Sequence, residues 1–139
     1  MEMRDFEELG SCDLELTEAA QRAEYRMDLL LINAPNDQSI SSIANDGAFP
    51  ALAIISLGSA LHARLPHIEF LALDGQVGGE EAILLALERE KPRIVAVSCL
   101  AASYGPTLPI CAKAKQVGAI TILGNDHAVV HHAQILQRD

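Results

Sequence analysis

Tryptophan is absent from this 139-residue chain, and two tyrosines and three phenylalanines bring the aromatic share to only 4%. A core must therefore be filled by Ala, Val, Ile and Leu, the composition of parallel sheets covered by helices. Cysteine is scarce as well. Cys12, Cys99 and Cys111 form neither an even framework nor a Cys-x-x-Cys clip, which suits a reducing compartment. Basic residues number 10 against 19 acids, a net charge of -9. Without a basic stripe the chain is a poor partner for nucleic acid or an anionic membrane. Long hydrophobic runs are missing too: Met27–Pro35 is short, and Ala48–Leu61 is interrupted by Pro50, Ser56, Gly58 and Ser59, so no membrane span is expected. The N-terminus is acidic rather than basic-then-apolar and does not read as a signal peptide. The expected location is cytoplasmic.

The length fits one domain behind a leader. Residues 1–26 hold eight acids and three bases, and Leu16–Arg26 contains good helix formers behind Thr17 as a plausible N-cap. Residues 27–139 alternate regularly. Asp28–Asn33 reads as a strand buried on both faces, and Ile68–Leu73, Arg93–Cys99 and Ala119–Leu123 read as the second, third and fourth strands. Between and after them, Phe49–Leu65, Gly79–Glu90, Pro106–Val117 and Val129–Gln137 read as helices. The first of these has Leu52, Ile55, Leu57, Leu61 and Leu65 as its expected apolar face. Asn36–Ala48 is polar and reads as a long loop. Strict strand–helix alternation predicts an α/β fold, a flavodoxin-like or Rossmann-like doubly wound parallel sheet of four strands in order 2-1-3-4 with right-handed crossovers. Such sheets usually carry a fifth strand, so the domain is expected to be cut at its C-terminal side.

In open parallel sheets ligands bind beyond the carboxyl ends of the strands. Two such ends stand out. Ser98-Cys99-Leu100 closes the third strand, and Gly124-Asn125-Asp126-His127 closes the fourth. A Ser-x-Leu followed a helix and a strand later by a glycine turn resembles the cobalamin-binding domain. Other features resemble a narrower group, the N-terminal cobalamin domain of B12-dependent radical S-adenosylmethionine enzymes. They are Asn33-Ala34-Pro35, Phe49-Pro50-Ala51-Leu52-Ala53, Asp74-Gly75, Lys91-Pro92-Arg93-Ile94-Val95 and the final Gly-x-x-His, in that order over residues 28–139.

The resemblance implies that Ser98 faces the lower base of the cofactor, Leu100 shapes the slot, and Gly124 lets the nucleotide tail lie against backbone. It places Asn33, Pro35, Ala101, Asn125 and His127 around the same ligand. Asn125 stands where the family has a second glycine, and asparagine tolerates positive φ best among the other residues. The Asp-x-His-x-x-Gly of methionine-synthase-like domains, whose histidine ligates cobalt, has no counterpart after the first strand, and no histidine precedes His62. The implied function is cobalamin binding without a protein histidine below the metal, as the methyl-carrier domain of a methyltransferase-type enzyme. The radical chemistry needs a Cys-x-x-x-Cys-x-x-Cys loop, which this sequence lacks, so a catalytic domain in cis or in trans is the implied partner.

Three other readings stay beside this one. A cobalamin-type fold that has lost its ligand would serve as a docking module, with Asn125 as its mark. A flavodoxin-like flavin carrier would want a Ser/Thr-rich loop directly after strand one, whereas Ser39, Ser41 and Ser42 come late. His127, His131 and His132 have helical spacing for a metal pair but no obvious third ligand, so no metal site is expected. A phosphoacceptor domain is excluded because strand three ends in Ser98-Cys99 rather than Asp. A dinucleotide fold is excluded because Asn33–Gln38 has no glycine. Cys99 and Cys111 read as small buried hydrophobes.

Overall fold

The computed structural model describes residues 25–37 and 50–137. Among them four strands, β1 (Met27–Asn33), β2 (Phe70–Asp74), β3 (Pro92–Ser98) and β4 (Ile120–Gly124), form one sheet. Its order is β2-β1-β3-β4 and every pairing is parallel. Helices α1 (Leu52–Arg64), α2 (Gly75–Glu90) and α3 (Tyr104–Gln116) connect the strands, and α4 (Asp126–Val130) and α5 (His132–Ile135) follow β4. This is the flavodoxin-like α/β architecture the alternation predicts.

Strand period divides the side chains between two faces. Leu30 and Ile32 of β1 and Val95 and Val97 of β3 meet Ile83 and Leu87 of α2 and Ile110 and Ala114 of α3, all almost wholly removed from solvent. Burying each of the larger side chains stabilises the fold by about 1.5–3 kcal/mol. The opposite face carries Leu31, Ala96, Ser98, Ile122 and Gly124, with Ala96 beside Ile122 and Ser98 beside Gly124 in register. There α1 covers β1 and β2. It comes close because Gly58 has no side chain: a Cβ there would stand 3.0 Å from the Phe70 ring.

That contact corrects the expected face of α1. The inward residues are Ile54 and Gly58, with Leu61 half-buried, while Leu52, Ile55, Leu57 and Leu65 are exposed. Apolar residues surround this helix almost completely, so periodicity could not choose the face. The close approach at Gly58 chose it.

Other boundaries shift for local reasons. The helix expected from Gly79 begins at Gly75, where the Asp74 carboxylate accepts the Gln76 N–H at 3.0 Å as an N-cap; it kinks at Gly79, whose φ is 74°. Such a φ suits glycine. The helix expected from Pro106 begins at Tyr104 after a 3-10 turn over Ala101–Ser103. The expected last helix, Val129–Gln137, is instead the short pair α4 and α5, broken at His131. Glu69 precedes β2 rather than lying in it, although β2 is an edge as expected. Of the leader helix only Tyr25 and Arg26 are described, and neither is helical. Cys12, Thr17 and most of the Asn36–Ala48 loop lie outside the described residues. Tyr25 donates from its hydroxyl to the Gly118 carbonyl at 3.0 Å, which ties the chain's entry to the turn before β4.

Candidate functional site

With α1 over β1 and β2, the β3–β4 half of that face is left open among the described residues. Ile120 and Ile122 are each 50% exposed. A cavity of about 400 Å³ lies here between Ile54 and Leu57 of α1 and Ala96, Ser98, Ile122 and Gly124 of the sheet, with Asn125 among its lining residues. Its size falls in the range of small-molecule sites, and its walls are mostly apolar with few polar groups, as such sites require. It reaches the carboxyl ends of β3 and β4, where the topology places ligands.

Gly124 is a glycine that the fold does not need. Its φ lies outside the left-handed region, and a Cβ built on it meets nothing within 4 Å. Neither conformation nor crowding accounts for it; the missing side chain leaves the cavity open. Gly75 is the contrast, because a Cβ there would stand 2.6 Å from Pro35 Cδ and 2.7 Å from the Asn33 carbonyl oxygen.

Asn125 has a backbone conformation typical of glycine. Its φ and ψ are 78° and 174°, a region that is essentially glycine-only and costs other residues about 1–3 kcal/mol. The turn is therefore not the ordinary left-handed one in which asparagine is comfortable. Two side-chain bonds hold it: Oδ1 accepts the Asp126 N–H at 2.8 Å, and Nδ2 donates to Ser98 Oγ at 3.1 Å. Ser98 and Asn125, 27 residues apart, thus meet at the end of the cavity.

The remaining expected residues lie apart from it. Asn33 donates to Asp74 Oδ1 at 2.9 Å, and Pro35 packs on Gly75, so both secure the β1–β2 junction. Leu100 is exposed and outside the cavity lining, and Ala101 opens the 3-10 turn. The Leu100 N–H is held by Ser103 Oγ at 2.9 Å, and Thr107 Oγ1 donates to the Ser103 carbonyl at 2.7 Å. His127 lies in a second groove with Tyr104, His131, Gln134 and Ile135. Its ring stacks at a tilt between those of Tyr104 and His131, with centroids 4.6 Å away on each side. Among the described residues no group of three metal-binding side chains gathers.

Both described cysteines are sheltered. Burial raises the Cys99 pKa, partly opposed by a hydrogen bond with Thr107. Burial, reinforced by the neighbouring Cys99, pushes Cys111 up to about 11. Both shifts favour the protonated thiol, the less nucleophilic form.

Sequence reasoning missed Ile54, Leu57, Ala96 and Ile122 as cavity walls. A signal for two of them was present: Ala96 and Ile122 each precede a motif residue, Ser98 or Gly124, by two positions and so share its face. The α1 contribution had no such signal. No helix of the described residues is long and apolar enough to cross a membrane. Comparison with family models, curated proteins and solved structures returns no match.

Proposed function

We propose that this domain binds cobalamin, holding the lower nucleotide tail in the cavity between α1 and the β3–β4 half of the sheet. No protein imidazole would stand below the cobalt. In this reading the domain is the methyl-carrier part of a radical S-adenosylmethionine methyltransferase-type enzyme, working with a catalytic domain in cis or in trans. The observation that carries the reading is Gly124, whose missing side chain opens space at a strand end without serving the backbone. The glycine-type conformation of Asn125 supports the same turn. The apolar walls suit a flat base, and Ser98 supplies a polar contact at the end of the slot.

In this reading His62, His67, His127 and His131 would not serve below the metal. His62 is in the last turn of α1 and His67 follows it, at the end of the sheet away from the cavity mouth. His127 and His131 are stacked in the other groove. Bound cobalamin would supply the methyl-transfer chemistry, and the chain's own residues would bind and orient it.

Titration with cobalamin, followed by absorbance and by retention through gel filtration, tests the proposal. A saturable spectral change with retained cofactor is expected, and a flow-through with none retained overturns it. Electron paramagnetic resonance of the cobalt(II) form should show no strong axial nitrogen splitting. Splitting that vanishes in a His127→Ala variant would overturn the ligand assignment. A second reading, a docking module that has lost its ligand, is favoured by the Asn125–Ser98 bond, which already engages one lone pair of the serine oxygen. The same titration separates the two.

A further inference from the structure

We infer that β4 is a self-pairing edge: two copies of this chain join their β4 strands antiparallel, about a two-fold axis at Ile122, into one continuous sheet. The inference does not rest on the cobalamin reading, and a failed cobalamin titration leaves it standing. It begins with the two edges of the sheet, β2 and β4. An edge strand offers unpaired N–H and C=O groups to any other chain, and charges, prolines or bulges normally blunt it. β2 has an acid at each end, Glu69 just before it and Asp74 as its last residue. β4 reads Ile-Thr-Ile-Leu-Gly, with no charge and no proline, and it pairs with β3 without a bulge. On the open face its Ile120 and Ile122 are half-exposed.

The backbone fixes which groups face outward. The Gly124 carbonyl accepts the Cys99 N–H at 3.0 Å, so it points toward the β3 side. Strand groups alternate in direction, so those of Ile120 and Ile122 also turn toward β3, and those of Thr121 and Leu123 turn away. A two-fold axis normal to the sheet keeps both open faces on one side. With Ile122 on that axis, Thr121 and the partner's Leu123 exchange both N–H···O bonds, as do Leu123 and the partner's Thr121. Every outward group of these two residues is then paired. The neighbouring registers fail. One needs the Ala119 N–H, which already donates to the Ala114 carbonyl at 2.9 Å. The other sets Thr121 against the partner's Asn125, and at this residue a φ of 78° has left the strand.

Side chains and charges are self-complementary in the same register. Ile122 meets the partner's Ile122 at a non-hydrogen-bonded position, where side chains lie closest. Gly124 lies opposite Ile120 of the partner subunit, so the space beside this glycine receives an apolar side chain that extends the cavity wall. At the strand ends Asp126 comes across from the partner's Gly118, in the turn that follows the partner's Lys115. Neither Asp126 nor Lys115 has an ion-pair partner among the described residues. For a chain of net charge -9, an uncharged strand with opposite charges at its two ends is where copies can approach. A contact this small associates reversibly, so the half-exposed isoleucines described above are those of the dissociated chain.

Light scattering coupled to gel filtration of the full chain, over a dilution series, tests the pairing. A dimer that dissociates on dilution is expected. Thr121→Pro removes an outward N–H that β3 does not use, and Ile122→Lys sets like charges face to face on the axis. Each should weaken the dimer by roughly tenfold or more, with circular dichroism as the control for folding. Ile122→Cys in a Cys12→Ser background should cross-link to its own copy under diamide, which takes up the two thiol hydrogens as the disulfide forms. Non-hydrogen-bonded antiparallel positions hold Cα atoms about 4.5 Å apart, within disulfide reach. Leu85→Cys in the same background, exposed on α2, should not cross-link. A chain that is monomeric throughout the series overturns the inference, whether its edge is covered by another part of the chain or by nothing. A dimer indifferent to both Thr121→Pro and Ile122→Lys, or an Ile122→Cys chain that cross-links no faster than Leu85→Cys, places the interface elsewhere and overturns it equally.

Discussion

The two faces of the sheet are made from the same four strands and from similar aliphatic residues, yet they end in different states. On one face Leu30, Ile32, Val95 and Val97 are sealed by two long helices. On the other, among the described residues, α1 covers the β1–β2 half, and Ile122, half-exposed like Ile120, lines a cavity. An exposed apolar strip is informative where an isolated exposed leucine is not. The sealed face accounts for why the chain folds, and the open face is where the chain has kept room.

That division predicts a large asymmetry in stability. Leu87→Ala on the sealed side removes a fully buried side chain from α2 and should cost about 2–5 kcal/mol in urea unfolding. Ile122→Ala removes an apolar side chain of comparable size from a half-exposed strand position and should cost within about 1 kcal/mol. Equal losses would mean that the open face is covered in solution, and the comparison would break.

Much of the sealed face was legible in the sequence. The continuous apolar run at Leu29–Ile32 reads as a strand buried on both sides, and alternation of apolar runs with helices leaves few topologies. The open face was less legible, because a strand residue facing a cavity and one facing a helix are equally apolar. Ser98 and Gly124 marked its end correctly as neighbours, since they are paired in register. The resemblance implies Leu100, Ala101 and His127 at the same ligand; in the fold the 3-10 turn and the short α4 set them outside the lining of this cavity. Just beyond a strand end the backbone changes direction, so nearness in the chain does not fix which groove a residue lines.

A second contrast separates folding from binding at one position. Gly124 is a strand residue without positive φ, so valine fits both the backbone and the strand. Gly124→Val should leave stability within about 1 kcal/mol of the wild type while filling the cavity mouth, and cobalamin affinity should fall by more than roughly tenfold. Ser98→Ala removes one hydrogen bond, about 0.5–1.5 kcal/mol, and should weaken binding by roughly tenfold at most. Titration with circular dichroism as the control measures both. Equal affinities in the two variants would place the ligand elsewhere.

Asn125 gives a smaller effect of opposite sign. Replacing it by glycine relieves a strain of about 1–3 kcal/mol, whereas glycine in place of asparagine at an N-cap costs only a few tenths. After the lost bond to Ser98 is counted, about 0.5–1.5 kcal/mol, the midpoints of these ranges leave Asn125→Gly more stable by roughly 0.7 kcal/mol in thermal or urea unfolding. Clear destabilisation would show that the carboxamide bonds outweigh the strain.

The last contrast is nil at neutral pH and grows only with alkali, and it tests how well the sealed side excludes solvent. Cys99 follows β3 in full burial, and Cys111 lies on α3, one of the two sealing helices. In the fold the Cys111 thiol is pushed up to about 11 by burial and by Cys99, from an ordinary value of 9.0. Below the ordinary value both folded and unfolded chains keep the proton, and the full stability is present. Between about 9 and about 11 the unfolded chain ionises this thiol while the folded chain does not. The unfolded state then binds fewer protons, so stability falls as pH rises through that window. Tyrosines and lysines titrate there too, so the measurement is the difference between wild type and Cys111→Ala in urea unfolding across that range. The variant should show the shallower decline. Parallel curves, or rapid alkylation of Cys99 and Cys111 in the native protein at pH 8, would show that this side of the sheet is open to water as well.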